Sequence, residues 1–188
     1  LEFNILSGSK FAAWNLEFAN AGGWESAYGN VSWIQQGSAD AIAEAVFAGD
    51  VNMRLSKAEI VDDCNYLMEF NLKGYSKFTT RSNLNIGGDD AKQGSARFTM
   101  SGSNNWAEFN SIYVRLGKNA EEVATTANID ISGSNNTLYA RGNFNLSESV
   151  LKTGAVINFS MTGEGNVLNV NNFNVSNQDE STGGRKNW

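Results

Sequence analysis

Apolar and polar residues alternate along much of this chain in short runs, and the runs recur. Residues 96–117 read ARFTMSGSNNWAEFNSIYVRLG, residues 127–147 read ANIDISGSNNTLYARGNFNLS, and residues 155–176 read AVINFSMTGEGNVLNVNNFNVS. Each copy opens with two apolar residues around one polar residue: Phe98 and Met100, Ile129 and Ile131, Phe159 and Met161. That period of two predicts a strand with one face in a core. A glycine closes each run, and Gly102, Gly133 and Gly163 follow at intervals of 31 and 30 residues. A second alternating run comes later in each copy: Ile112, Val114 and Leu116, then Phe144 and Leu146, then Phe173 and Val175. A shorter strand fits between them, around Trp106 and Phe109, Leu138 and Ala140, and Leu168 and Val170.

The same form extends backwards. Phe70, Leu72, Gly74, Phe78, Leu84 and Ile86 reproduce it within residues 67–88, whereas residues 1–22 and 31–56 are more diverged copies. Connections at 89–95, 118–126, 148–154 and 177–184 vary in length while the copies do not. Variation collects in this way at one corner when each unit stacks on its neighbour. The prediction is therefore an all-β chain, a right-handed parallel β-helix (β-solenoid) of about six three-strand rungs in a single domain spanning 1–188. Residues 1–66 form its diverged rungs, 67–176 its regular ones, and 177–188 a C-terminal loop or end. A β-sandwich is the rival. The solenoid requires Ile131 to stack on Met161, and Phe98, Ile129 and Phe159 to share one column. Residues 39–48, ADAIAEAVFA, leave a short helix and a distorted strand both open.

Asparagine adds a corner device. Asn104 and Asn105 align with Asn135 and Asn136, and Asn166 falls 31 residues after Asn135, so an amide ladder is expected through Asn104, Asn135 and Asn166. Tolerance of a left-handed turn would place asparagine at the same corner.

Composition agrees with strands and turns. The chain has no proline, where average usage would give about nine. Proline cannot donate to a ladder, so its absence suits a backbone paired on both sides. The net charge is −6 with basic residues scattered, which argues against a nucleic-acid partner. No apolar run is long enough for a transmembrane helix. Because it starts at Leu1, the chain reads as a mature or excised piece whose targeting signals lie elsewhere. Cys64, the single cysteine, reads as a small buried apolar group.

Histidine is absent, which removes Ser-His-Asp and Cys-His catalysis and the commonest zinc ligand. No cofactor or metal motif is present, and the expectation is a protein that is not an enzyme. The acidic pairs Asp62 and Asp63, Asp89 and Asp90, and Glu121 and Glu122 are the nearest approach to a calcium-dependent lyase site, and they read as solvated charges. Of five tryptophans, Trp14, Trp33 and Trp106 read as core or corner packing. Trp24 and Trp188, in glycine-rich or terminal segments, are the candidates for contact with a ligand or a neighbouring subunit.

The Ser-Gly-Ser-Asn-Asn run followed by an Asn-rich alternating strand, as in residues 132–147, resembles repeats of large bacterial surface proteins. These are the autotransporter-passenger and sorting-signal-bearing, adhesin-like kinds, and the resemblance covers residues 67–176. It implies a protease-resistant stalk or adhesin at the cell surface or outside the cell, and it transfers no catalytic residue. Exposed strand edges at a solenoid's ends would favour end-to-end stacking into a filament. Expected partners are then other copies of the chain, surface proteins or glycans. A carbohydrate-binding β module and a fragment of a polysaccharide-lyase-like β-helix are the alternatives.

Overall fold

A computed structural model describes residues 1–18, 29–53, 66–88, 94–116, 125–148 and 156–177. Each of these stretches is one coil of a parallel β-solenoid. The first coil holds β1 (Glu2–Leu6), β2 (Lys10–Ala13) and β3 (Leu16–Phe18). The second holds β4 (Gly29–Gln36), β5 (Ala43–Phe47) and β6 (Val51–Met53), and the third β7 (Tyr66–Lys73), β8 (Ser76–Thr80) and β9 (Leu84–Gly88). The fourth holds β10 (Gly94–Ser101), β11 (Trp106–Phe109) and β12 (Ile112–Leu116). In the fifth and sixth coils the pattern changes to β13 (Thr125–Ile131) with β14 (Thr137–Glu148), then β15 (Val156–Met161) with β16 (Val167–Asn177).

Coil-to-coil pairing decides the architecture. The first face is a six-stranded sheet in the order β1-β4-β7-β10-β13-β15, one strand from each coil. Every pair in it is parallel. Phe98 lies opposite Phe70 on one side and Ile129 on the other, Ile129 lies opposite Phe159, and Ile131 lies opposite Met161. One column of inward side chains thus runs Phe3, Trp33, Phe70, Phe98, Ile129, Phe159. A sandwich does not produce that register, because its sheets pair strands antiparallel, whereas here every pair is parallel. The second and third faces join into a ten-stranded sheet through β14, which pairs with both β11 and β12.

The three inner faces enclose a single core cluster that reaches from Ile5 to Leu146, with Ile157, Phe159, Leu168 and Val170 packed against it. On the second face the inward column reads Phe11, Ala45, Phe78, Ala107, Leu138, Leu168, so large and small residues alternate in the first four coils. Rings make the longest continuous contact: Phe47 and Phe78 stack at 5.3 Å, and Phe70 meets Phe78 at 4.7 Å and Phe98 at 5.1 Å, both edge-on. Each fully buried phenylalanine contributes roughly 1.5–3 kcal/mol from apolar surface alone.

Two details refine the expected pattern. Within residues 39–48, Ala43–Phe47 is strand β5 and no helix forms. Its backbone is paired on both sides, Ala45 lying opposite Phe11 and Phe78, which outweighs the helix propensity of its alanines. Ala43, Ala45 and Phe47 are buried, while Ile42 and Val46 both face out. The expected three strands per coil become two in the last two coils, because β14 and β16 run on through the second bend. Their ladder shifts register between Ala140 and Asn143, where the sixth coil is one residue shorter: Ala140 faces Val170, but Asn143 faces Asn172.

Candidate functional surface

The corner after the first face is the most regular feature of the later coils. Gly102, Gly133 and Gly163 stack there with φ of +75°, +92° and +97°. A Cβ on Gly133 would overlap the Gly102 carbonyl, and one on Gly163 would overlap that of Gly133, so backbone approaches backbone where no side chain fits. Asn104 and Asn135 follow with φ of +57° and +55° and are exposed. The inward amides are one residue further on. Asn105 donates its backbone N–H (3.0 Å) and its Nδ2 (2.8 Å) to Oδ1 of Asn136, and the Asn136 backbone N–H donates to Oδ1 of Asn166 at 2.9 Å. Ser76, one coil earlier, donates its backbone N–H to Oδ1 of Asn105 at 3.3 Å.

The ladder therefore passes through Asn105, Asn136 and Asn166 rather than Asn104, Asn135 and Asn166. Asn104 and Asn135 hold the left-handed positions of the bend, and Gly165, φ +66°, takes that place in the last coil. The column also serves its own corner, with Nδ2 of Asn105 donating to the Ser101 carbonyl (2.7 Å) and Nδ2 of Asn136 to that of Ser132 (2.8 Å). Asn105 and Asn136 are buried. Buried amides without partners would cost about 1–3 kcal/mol each, so the ladder secures the bend only as a complete set. On the outer faces, amides of adjacent coils also bridge, as in Asn85 to Asn52 (2.8 Å), Asn158 to Asn128 (2.8 Å) and Asn174 to Asn145 (2.7 Å).

The outer side of the second face divides into two regions. In the first three coils it carries a charged column, with Glu44 between Lys10 (3.5 Å) and Lys77 (3.4 Å). In the fourth and fifth coils it carries aromatic rings. Trp106 is 39% exposed there, and its ring meets that of Tyr139 on the next coil at 6.2 Å with the planes 50° apart. Nε1 of Trp106 donates to Glu108 at 3.4 Å. Glu108 is also held by Arg141, which donates from Nε at 2.8 Å and from Nη2.

Of the three tryptophans expected in the core or at a corner, Trp33 and Trp14 stand there and Trp106 does not. Trp33 is core, packed against Phe3 at 4.9 Å and Phe70 at 6.3 Å. Trp106 faces out, as its parity with buried Ala107 and Phe109 requires. Trp14 stands at a corner but is 73% exposed. Trp24 and Trp188 lie outside the described residues, as do Cys64 and the acidic pairs at 62–63, 89–90 and 121–122. Among the described residues no cluster of acidic, cysteine or histidine side chains could hold a metal ion, and no helix is long and apolar enough to cross a membrane.

The first and last described coils expose side chains that belong to core columns. Leu1 and Phe3 are exposed in the first, and Met161, Phe173 (44%) and Val175 (61%) in the last. Comparison with known proteins found no matching family model, no matching curated protein and no matching solved structure.

Proposed function

We propose that this chain is a structural, non-enzymatic β-solenoid of the cell surface or extracellular space, a stiff post that serves adhesion and stacks end to end on further copies. The observation that carries this reading is the parallel coil-over-coil pairing, which continues to a last described coil whose core residues Phe173 and Val175 are exposed. A parallel coil that buries one side of its core side chains has free backbone groups and apolar surface on the other, and a similar coil satisfies both. The inward residues of the first coil, Phe3, Ile5, Phe11, Leu16 and Phe18, are apolar like those of the sixth. A head-to-tail contact between these two ends need not close, so it would give a fibre.

Sedimentation velocity over a wide concentration range, with electron microscopy of the concentrated sample, tests the assembly. Size should grow with concentration, and Val175→Lys should suppress the growth. A strict monomer at the highest concentration would overturn the stacking. Placement at the surface is tested separately by antibody labelling of intact cells; staining seen only after permeabilisation would refute it.

A further inference from the structure

We propose that the aromatic region on the outer second face, centred on Trp106 and Tyr139, binds neutral sugar units of a glycan. The proposal uses the solenoid only as a rigid support and does not depend on end-to-end stacking or on where the protein resides.

Four observations support it. First, Trp106 and Tyr139 stand on adjacent strands of one sheet, β11 and β14, whose backbones are fixed in register by Trp106 opposite Thr137 and Glu108 opposite Tyr139. Their backbones need no ordering step, which removes a cost that loop-borne aromatics incur on binding. Second, the rings are outward, and their alternate neighbours Ala107, Phe109, Leu138 and Ala140 supply the core contacts. The exposed part of Trp106 is thus surplus to the fold. Third, the rings are set among polar groups: Glu108 and Arg141 as an ion pair, with Thr137 and Asn169 on the neighbouring positions. An apolar partner would bury these groups unsatisfied, whereas a pyranose presents a C–H face for the ring and hydroxyls at its rim for the polar side chains. Fourth, the charge is already balanced. Arg141 is engaged by Glu108, and the whole chain carries −6, so an acidic polysaccharide would meet no free excess of positive charge.

Successive coils place equivalent outward positions about 4.8 Å apart, a step comparable with one sugar unit. Trp106 and Thr137 share one outward column and Glu108, Tyr139 and Asn169 the next, so a glycan that meets both rings crosses diagonally from one column to the other over the 6.2 Å between them. The same face in the first three coils offers the Lys10–Glu44–Lys77 column instead, with no outward ring on β2, β5 or β8. It provides an internal control for non-specific adsorption.

Native electrophoresis through gels containing single soluble polysaccharides provides the test. Dextran, galactomannan and xyloglucan serve as neutral polymers, with polygalacturonate and alginate as acidic ones. At least one neutral polymer should retard the protein. Trp106→Thr gives that position the residue its own column carries at Thr137, so the strand accepts it, and it should weaken the retardation at least about tenfold. Trp106→Phe should keep most of it, and Trp14→Ala, which removes an exposed tryptophan elsewhere, should change nothing. Retardation by no polymer, or by acidic polymers alone, would overturn the proposal. So would equal binding by Trp106→Thr, or an equal loss with Trp14→Ala. Sedimentation of the same samples reports on assembly, so failure to bind sugar leaves the stacking result readable by itself.

Discussion

The bend that leaves the first face is built in two ways, and the second coil and the fourth coil show them side by side. In the fourth coil the amide comes from after the bend: Asn105 turns back to the Ser101 carbonyl and continues to Asn136 one coil on. In the second coil it comes from before the bend. Gln35, fully buried, reaches forward from β4 and donates Nε2 to the carbonyls of Ala43 (2.7 Å) and Lys77 (2.8 Å). Ser76 in turn donates Oγ to the Gln35 carbonyl at 2.7 Å. The two solutions differ in completeness, because Oε1 of Gln35 has no partner while Oδ1 of Asn136 accepts twice. What the bend requires is a side-chain amide beneath its carbonyls, not asparagine at one position. Regular repetition adds an amide-to-amide link to the next coil, where the Gln35 device reaches that coil through the Lys77 carbonyl and the Ser76 hydroxyl.

Substitution can break this contrast, and the largest effect is expected at the glycine stack. Gly133→Ala combines a left-handed φ with overlap against the Gly102 carbonyl, and should cost about 3 kcal/mol or more in urea unfolding followed by circular dichroism. Gly8→Ala, at φ +73° but with its Cβ 3.7 Å from that of Ala41, should cost only about 1–2 kcal/mol. Equal costs would show that conformation, not close approach, fixes the corner. Next comes the amide column. Asn136→Leu strands the Asn105 N–H and takes a donor from the Ser132 carbonyl, and should cost about 3 kcal/mol by the same measurement, whereas Asn135→Gly should stay within about 0.5 kcal/mol. Gln35→Met should fall between them at about 1–2 kcal/mol, since it removes an unpartnered acceptor along with two donated bonds. The smallest effect belongs to the charged column: Glu44→Gln should lower the unfolding free energy by less than about 0.5 kcal/mol, and the difference should vanish in 1 M salt.

The architecture was legible because a solenoid repeats its core in the sequence itself. The pairs Phe98 with Met100, Ile129 with Ile131 and Phe159 with Met161 are the inward residues of three successive strands, in the columns that spacing alone assigned. The ladder was misplaced by one residue for an arithmetical reason with a physical origin. The last coil is 30 residues from the fifth at this corner, as Gly133 and Gly163 show, so the equivalent of Asn166 is Asn136 and not Asn135. Two adjacent asparagines with opposite orientations, one left-handed and exposed, one buried, hid the slip. Trp106 was within reach too. It is one residue from Ala107 and three from Phe109, and the strand period places it outside if they are inside. The merging of two strands into β14 had no such signal, since it depends on how Gly142 packs beside Ser111 on the coil below.

Stacking perpendicular to the strands sets a poor exchange of residues for distance. A coil of some 30 residues lifts the post by about 4.8 Å, where the same length of α-helix would extend about 45 Å. Standing 100 Å away from an anchoring point would take about twenty such coils. The geometry gains girth in return: every increment of height carries three broad walls, so a post of this kind resists bending and displays lateral area at each level, where a slender tether would offer only its tip.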